Sequence, residues 1–118
     1  MVQLPLLECS FLIPIRRDAN LSDAGEHDPK TWEWLSTEIF NRFRGGTGAP
    51  GMYQGFYEDP DTHQRVADES YKFFVAIEES RLPDLRQLLS AACVTFQQKC
   101  IYLSVAGHVE FVEPPKYE

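Results

Sequence analysis

The apolar pattern of this chain changes period in a fixed order, and that order limits the fold more than any single motif. From Leu7 to Arg16 (LECSFLIPIR), Cys9, Phe11, Ile13 and Ile15 alternate with Ser10, Leu12, Pro14 and Arg16, the period of a strand with one strongly apolar face. Pro14 removes a ladder donor, so the strand should end, bulge or open to one side there. Asp28 followed by Pro29 marks a helix start, with the carboxylate capping free N–H groups and proline in the first turn. Trp32, Leu35, Ile39 and Phe43, widened by Phe40, then recur at helical spacing to about Arg44. Trp32 and Trp34 cannot share that stripe, so Trp34 is expected to be partly exposed or to pack under a loop.

The period returns to two in a short aromatic strand, Met52 to Tyr57, and in the longer Val66 to Ile77, which places Tyr71, Phe73, Val75 and Ile77 on one face. Asp59, Pro60 and Asp61 supply the turn between them. Ser80 is the expected cap of a second helix, whose stripe is Leu82, Leu85, Leu88, Leu89, Ala92 and Phe96, ending near Gln98. Ile101, Leu103 and Val105 form a further strand, and Ala106–Gly107 turns it into a short last one, His108 to Val112.

Strand, helix, strand, strand, helix, strand, with an extra C-terminal strand, is the split βαβ pattern of an α+β, ferredoxin-like fold. Two right-handed crossovers give one antiparallel sheet with both helices on one face and the first and third strands central. At 118 residues the chain is expected to be one domain over 1–118, with its ordered core at about 7–112 and a tail at 113–118.

Between the first helix and the next strand lies RFRGGTGAPGMYQG, with five glycines in fourteen residues: Gly45, Gly46, Gly48, Gly51 and Gly55. Phosphate loops put glycines between a strand and a helix N-terminus, where free N–H groups face the anion. Here the glycines follow a helix and read as its C-cap and a turn, with Arg42 and Arg44 suiting the negative dipole end.

The segments FLIPI, WEWLSTEIFNRFRGGT, GMYQGFY, VADES with FFVAI, and FQQKCIYLSVAGHVEF resemble, in this order, small uncharacterised bacterial proteins of expected ferredoxin-like fold, over roughly Cys9 to Val112. The resemblance implies the fold and carries no activity and no site residues.

A net charge of −7 repels phosphate backbones and anionic lipid, and no apolar run is long enough for a membrane helix, so neither nucleic acid nor membrane is expected as a partner. Cys9, Cys93 and Cys100 have no CxxC spacing, which indicates buried thiols and a cytoplasmic setting. No cofactor motif is present.

Topology gathers Asp18, Asp23, Glu26, His27, Asp28, Glu58, Asp59, Asp61 and His63 at one end, with His27 and His63 the residues that a cation would use. No metal-binding spacing organises them, so no metal is expected. The candidate ligand-binding residues are Arg16, Tyr53, Tyr57, Glu69 and Lys72. Glu69 has core-facing parity and, if buried near a tyrosine, would have a raised pKa suited to acid–base work. The plainer placement is the exposed start of the strand, since strand ends commonly remain wet.

No nucleophile–base signature appears. The preferred expectation is a non-catalytic homo-oligomeric or small-ligand-binding domain. The alternative is a small enzyme of the dimeric α/β-barrel type. A homodimer is expected through the uncovered sheet face, where Leu12, Phe74 and Tyr102 would meet the second copy.

Overall fold

The computed structural model describes residues 5–116, so the last two residues of the expected tail lie outside the described residues. Strand β1 (Leu6–Pro14) buries Cys9, Phe11 and Ile13 completely on one face and ends at its proline, as the missing donor requires. Helix α1 (Pro29–Phe43) starts at Asp28, whose carboxylate accepts from the Lys30 backbone N–H at 2.9 Å. It buries Leu35 and Ile39, with Trp32, Trp34 and Phe43 half-buried. Phe40 does not widen the stripe: it is exposed, with the Arg44 guanidinium over its ring at 5.8 Å.

The exit from α1 differs from the expected glycine cap. Arg44 itself takes the left-handed conformation (φ 64°), its N–H bonded to the Phe40 carbonyl. Gly46 serves close approach instead, since a Cβ there would stand 2.7 Å from Ile39 Cγ2 and 3.4 Å from the Phe74 carbonyl. The chain can therefore pass tightly from α1 onto the sheet edge. There it forms a two-residue strand, β2 (Thr47–Gly48), not foreseen from sequence, before β3 (Tyr53–Glu58).

Both β2 and β3 pair with the 14-residue strand β4 (Arg65–Glu78). A 3₁₀ turn, Glu79–Arg81, leads into α2 (Leu82–Thr95), and Ser80 is not the cap: Arg81 holds that position and no side chain caps it. Arg81 instead joins the two helices. Its guanidinium donates to Asp84 of α2 at 2.6 Å and to the Arg42 carbonyl at the end of α1 at 2.6 Å. Strands β5 (Ile101–Val105) and β6 (His108–Val112) are joined by Ala106 and Gly107, both at positive φ, the conformation a two-residue hairpin turn needs.

All pairings are antiparallel, in the order β2/β3–β4–β1–β5–β6, with β1 and β4 in the middle. Counting β2 and β3 as one interrupted edge strand, this is the ferredoxin-like arrangement with an added C-terminal strand. The core lies between the sheet and the helices, where Leu85, Leu88, Leu89 and Phe96 meet Phe11, Ile13, Val75 and Leu103. No helix among the described residues is long and apolar enough to cross a membrane.

Cys9 and Cys93 are buried and Cys100 is exposed, and none is bonded to another. Burial pushes the Cys93 thiol up to about 12, away from the reactive thiolate. We expect a thiol reagent to label Cys100 in the native protein and all three cysteines after denaturation without reductant. A denatured count of one would mean that a disulfide had formed.

Candidate functional site on the open sheet face

The helices cover one face of the sheet and leave the other bare, and strand register fixes what stands on it. Lys72, Leu12, Tyr102 and Phe111 are directly opposite one another across β4, β1, β5 and β6. The next row is Phe74, Ser10, Ser104 and Val109, and on the other side Tyr53, Ser70 and Pro14 form a third. Ser10 and Ser70 are only 9% and 4% exposed because larger neighbours roof them. The Lys72 ammonium lies 5.1 Å from the Phe74 ring centre and 5.3 Å from that of Tyr53, a cation held between two aromatic faces.

Beyond Tyr53 the face continues onto the β3–β4 hairpin, where Gly55 opposes Asp68 and Tyr57 stands diagonally from Asp68. A Cβ at position 55 would lie 3.2 Å from Asp68 Oδ1, so the glycine leaves room for the carboxylate. Asp68 is half-buried, makes no ion pair among the described residues, and burial raises its pKa above the ordinary aspartate value. The Tyr57 hydroxyl is also raised, first by burial and then by the negative charges of Asp68, Asp18 and Asp59. Tyr53, Tyr57 and Asp68 thus form an aromatic corner around a sheltered carboxylate.

Of the residues named from sequence, Tyr53, Tyr57 and Lys72 share this face with Leu12, Phe74 and Tyr102. Arg16 and Glu69 lie apart from it. Arg16 pairs with Glu26 at 3.7 Å in an exposed bridge beyond β1. Glu69 has the opposite parity and is exposed, so it is not a buried carboxylate. Asp68, the residue sequence reasoning missed, is its neighbour. Its alternation with Ser70 and Lys72 was the available signal.

The acidic end does not assemble as a cation site. Asp28 caps α1, Asp23 pairs with Arg17 at 3.0 Å, and Asp59 accepts from the Asp61 and Thr62 backbone N–H groups, which lower its pKa. Lys99 reaches Asp61 at 3.5 Å. His27 is buried, and its Nε2–H donates to the Pro14 carbonyl at 2.8 Å while its ring packs edge-on to Phe96 and Trp32. His63 is exposed, 3.9 Å from Glu58. Among the described residues no group of three or more His, Cys, Asp or Glu side chains could hold a metal ion.

At the glycine turn an open groove of about 630 Å³ is lined by Phe43, Arg44, Gly46, Thr47, Phe74 and neighbouring residues. It faces the carbonyl end of α1, where Arg81 already takes the Arg42 carbonyl. Titration with ATP, GTP and dinucleotides is therefore expected to release no heat of binding. Saturable micromolar binding abolished by Gly46→Ala would count against this reading.

Neither a protein-family model nor a curated protein matches the sequence. Solved structures do match in shape. A phage SAM lyase in complex with S-methyl-5′-thioadenosine aligns with a TM-score of 0.68 over 100% of this chain and 97% of that chain, at 13% identity. A phage SAM lyase in its apo state aligns with a TM-score of 0.63 over 100% and 98%, at 12% identity. The likeness runs the length of both chains, and at this identity it speaks for the fold alone.

Proposed function

We propose that this chain is a small enzyme that takes a sulfonium nucleoside of the S-adenosylmethionine class at the Tyr53, Tyr57 and Asp68 corner. The observation that carries the reading is the end-to-end structural likeness to a phage SAM lyase, one form of which holds S-methyl-5′-thioadenosine. It favours a small enzyme over a non-catalytic binding domain. The chemistry of the corner agrees. A sulfonium is a permanent cation, and aromatic faces beside a carboxylate replace the water that such a cation gives up on binding. The net charge of −7 favours the approach of a cationic ligand.

Cleavage of a sulfonium carbon–sulfur bond releases a neutral thioether, so the leaving group is activated before the protein acts. The ligand's own carboxylate can attack the carbon that leaves sulfur, forming a lactone C–O bond while the electron pair of the broken bond stays on the thioether. The protein's share is then to orient the ligand, and no nucleophile–base pair from the chain is required. Three unpaired thiols fit a reducing cytoplasm.

Incubation with S-adenosylmethionine, followed by chromatography for S-methyl-5′-thioadenosine, tests the proposal. Product is expected in proportion to protein and above the spontaneous background. Binding of the thioether without turnover would return the binding-domain reading. Neither binding nor turnover would reject the corner as the site.

A further inference from the structure

We infer that a second copy of this chain packs its open sheet face against this one, centred on the Phe74–Ser10 row. The face is large and apolar where a water-facing sheet would be polar. Phe111 is 64% exposed, Val109 51% and Tyr53 41%, and they surround the half-buried Leu12, Phe74 and Tyr102. Five strands at about 4.8 Å spacing and five residues at about 3.3 Å rise make the patch roughly 24 by 17 Å, about 400 Å² per copy, the small end of the range for protein interfaces and suited to a weak, reversible dimer.

Charge selects the occupant. In the rows from Ser70 to Phe74, with their partners on β1, β5 and β6, Lys72 is the one charged side chain, on a protein whose net charge is −7. Glu8 on β1 is registered with Ala76, four residues beyond Lys72 on the neighbouring strand. A twofold axis lying in the interface across the Phe74–Ser10 row carries the Lys72 level of one copy onto the Glu8 level of the other. Each ammonium then meets a carboxylate, twice by symmetry, and Phe74 meets its own equivalent at the centre. This is the self-complementarity that a closed dimer requires. Elsewhere the acidic surfaces of two copies repel.

Sedimentation velocity of the full chain is expected to show a dimer forming between about 10 and 100 μM, the range of a small, reversible interface. Phe74→Glu, and separately the rim variant Phe111→Glu, should yield monomers with native circular dichroism. Lys72→Glu and Glu8→Lys should each weaken association at least about tenfold, and the two together should restore it. A wild-type protein monomeric at about 100 μM overturns the proposal and leaves the face to a different partner. So does a dimer indifferent to both Phe74→Glu and Phe111→Glu, which would put the contact elsewhere. Singles that weaken and a double that fails to recover would reject the twofold placement.

Discussion

Phe96→Ala is expected to destabilise this protein by about 3–5 kcal/mol, a large part of the roughly 5–15 kcal/mol that a domain of this size has. Phe96 is fully buried at the end of α2, with the rings of Trp32 and His27 each 4.9 Å away and that of Trp34 at 6.4 Å. It therefore joins α2, α1 and the loop before α1, and its removal leaves a cavity among groups tied to three separate segments. Such walls cannot collapse together, which puts the cost at the upper end for a lost phenyl ring. Urea unfolding should show a lower midpoint with an unchanged slope, and the melting temperature should fall by roughly 10–20 °C. A loss below about 1 kcal/mol would mean that the cluster repacks around the gap.

The same cluster sets an acid limit. Burial lowers the His27 pKa, outweighing the Pro14 hydrogen bond, with the Arg17 charge adding to the lowering. A histidine whose folded pKa lies below its unfolded value of about 6.5 contributes its stability above that value and loses it as pH falls. Stability should therefore decline from about pH 6.5 downward, and His27→Gln should remove that part of the slope.

Asp68→Asn is expected to weaken S-adenosylmethionine binding by roughly tenfold to hundredfold, about 1.4–2.8 kcal/mol, while leaving S-methyl-5′-thioadenosine binding nearly unchanged. The asymmetry follows from charge. The sulfonium is positive before the carbon–sulfur bond breaks and neutral afterwards, so a carboxylate beside it acts on the ground state more than on the product. For the same reason turnover at saturation should not fall in step with affinity, since interactions stronger in the ground state do not speed the chemical step. Because burial raises the Asp68 pKa, the loss of sulfonium affinity on acidification should begin above the ordinary aspartate range, and it should be absent in Asp68→Asn. Titration with both ligands at several pH values measures all of this. Equal losses for the cation and the thioether would show that Asp68 only supports the corner's shape.

The strand and helix order, the central pair β1 and β4, the caps at Asp28 and Pro29, and the Ala106–Gly107 hairpin were legible because each is written locally, in a period or a turn preference. What was not legible is decided at a distance. Glu69 has core-facing parity, but the β3–β4 hairpin runs past the end of the helical layer, so at that level the core side has no cover and the sheltered acid is Asp68 on the other face. What the carboxylates of the acidic end do instead was not legible, because the partners that neutralise them are remote or unmarked, as with Lys99 and Asp61, 38 residues apart. The left-handed Arg44 shows the same limit: two glycines followed it, yet it was the residue before them that turned, and Gly46 was needed for Ile39.

Strand β4 also carries a boundary within itself. From Ser70 to Glu78 it is bonded to β1 along its whole length, and Val75 and Ile77 are clamped under the helices. From Arg65 to Ala67 its ladder is with β3 alone, out on the hairpin. One continuous strand thus belongs to two cooperative units. Its first half can unzip with the hairpin while the domain stays folded, and its second half gives up its amide protons only when the whole sheet comes apart. The proposed ligand corner sits on the looser side of that divide, so a ligand held there would tighten a segment that the core leaves free to open.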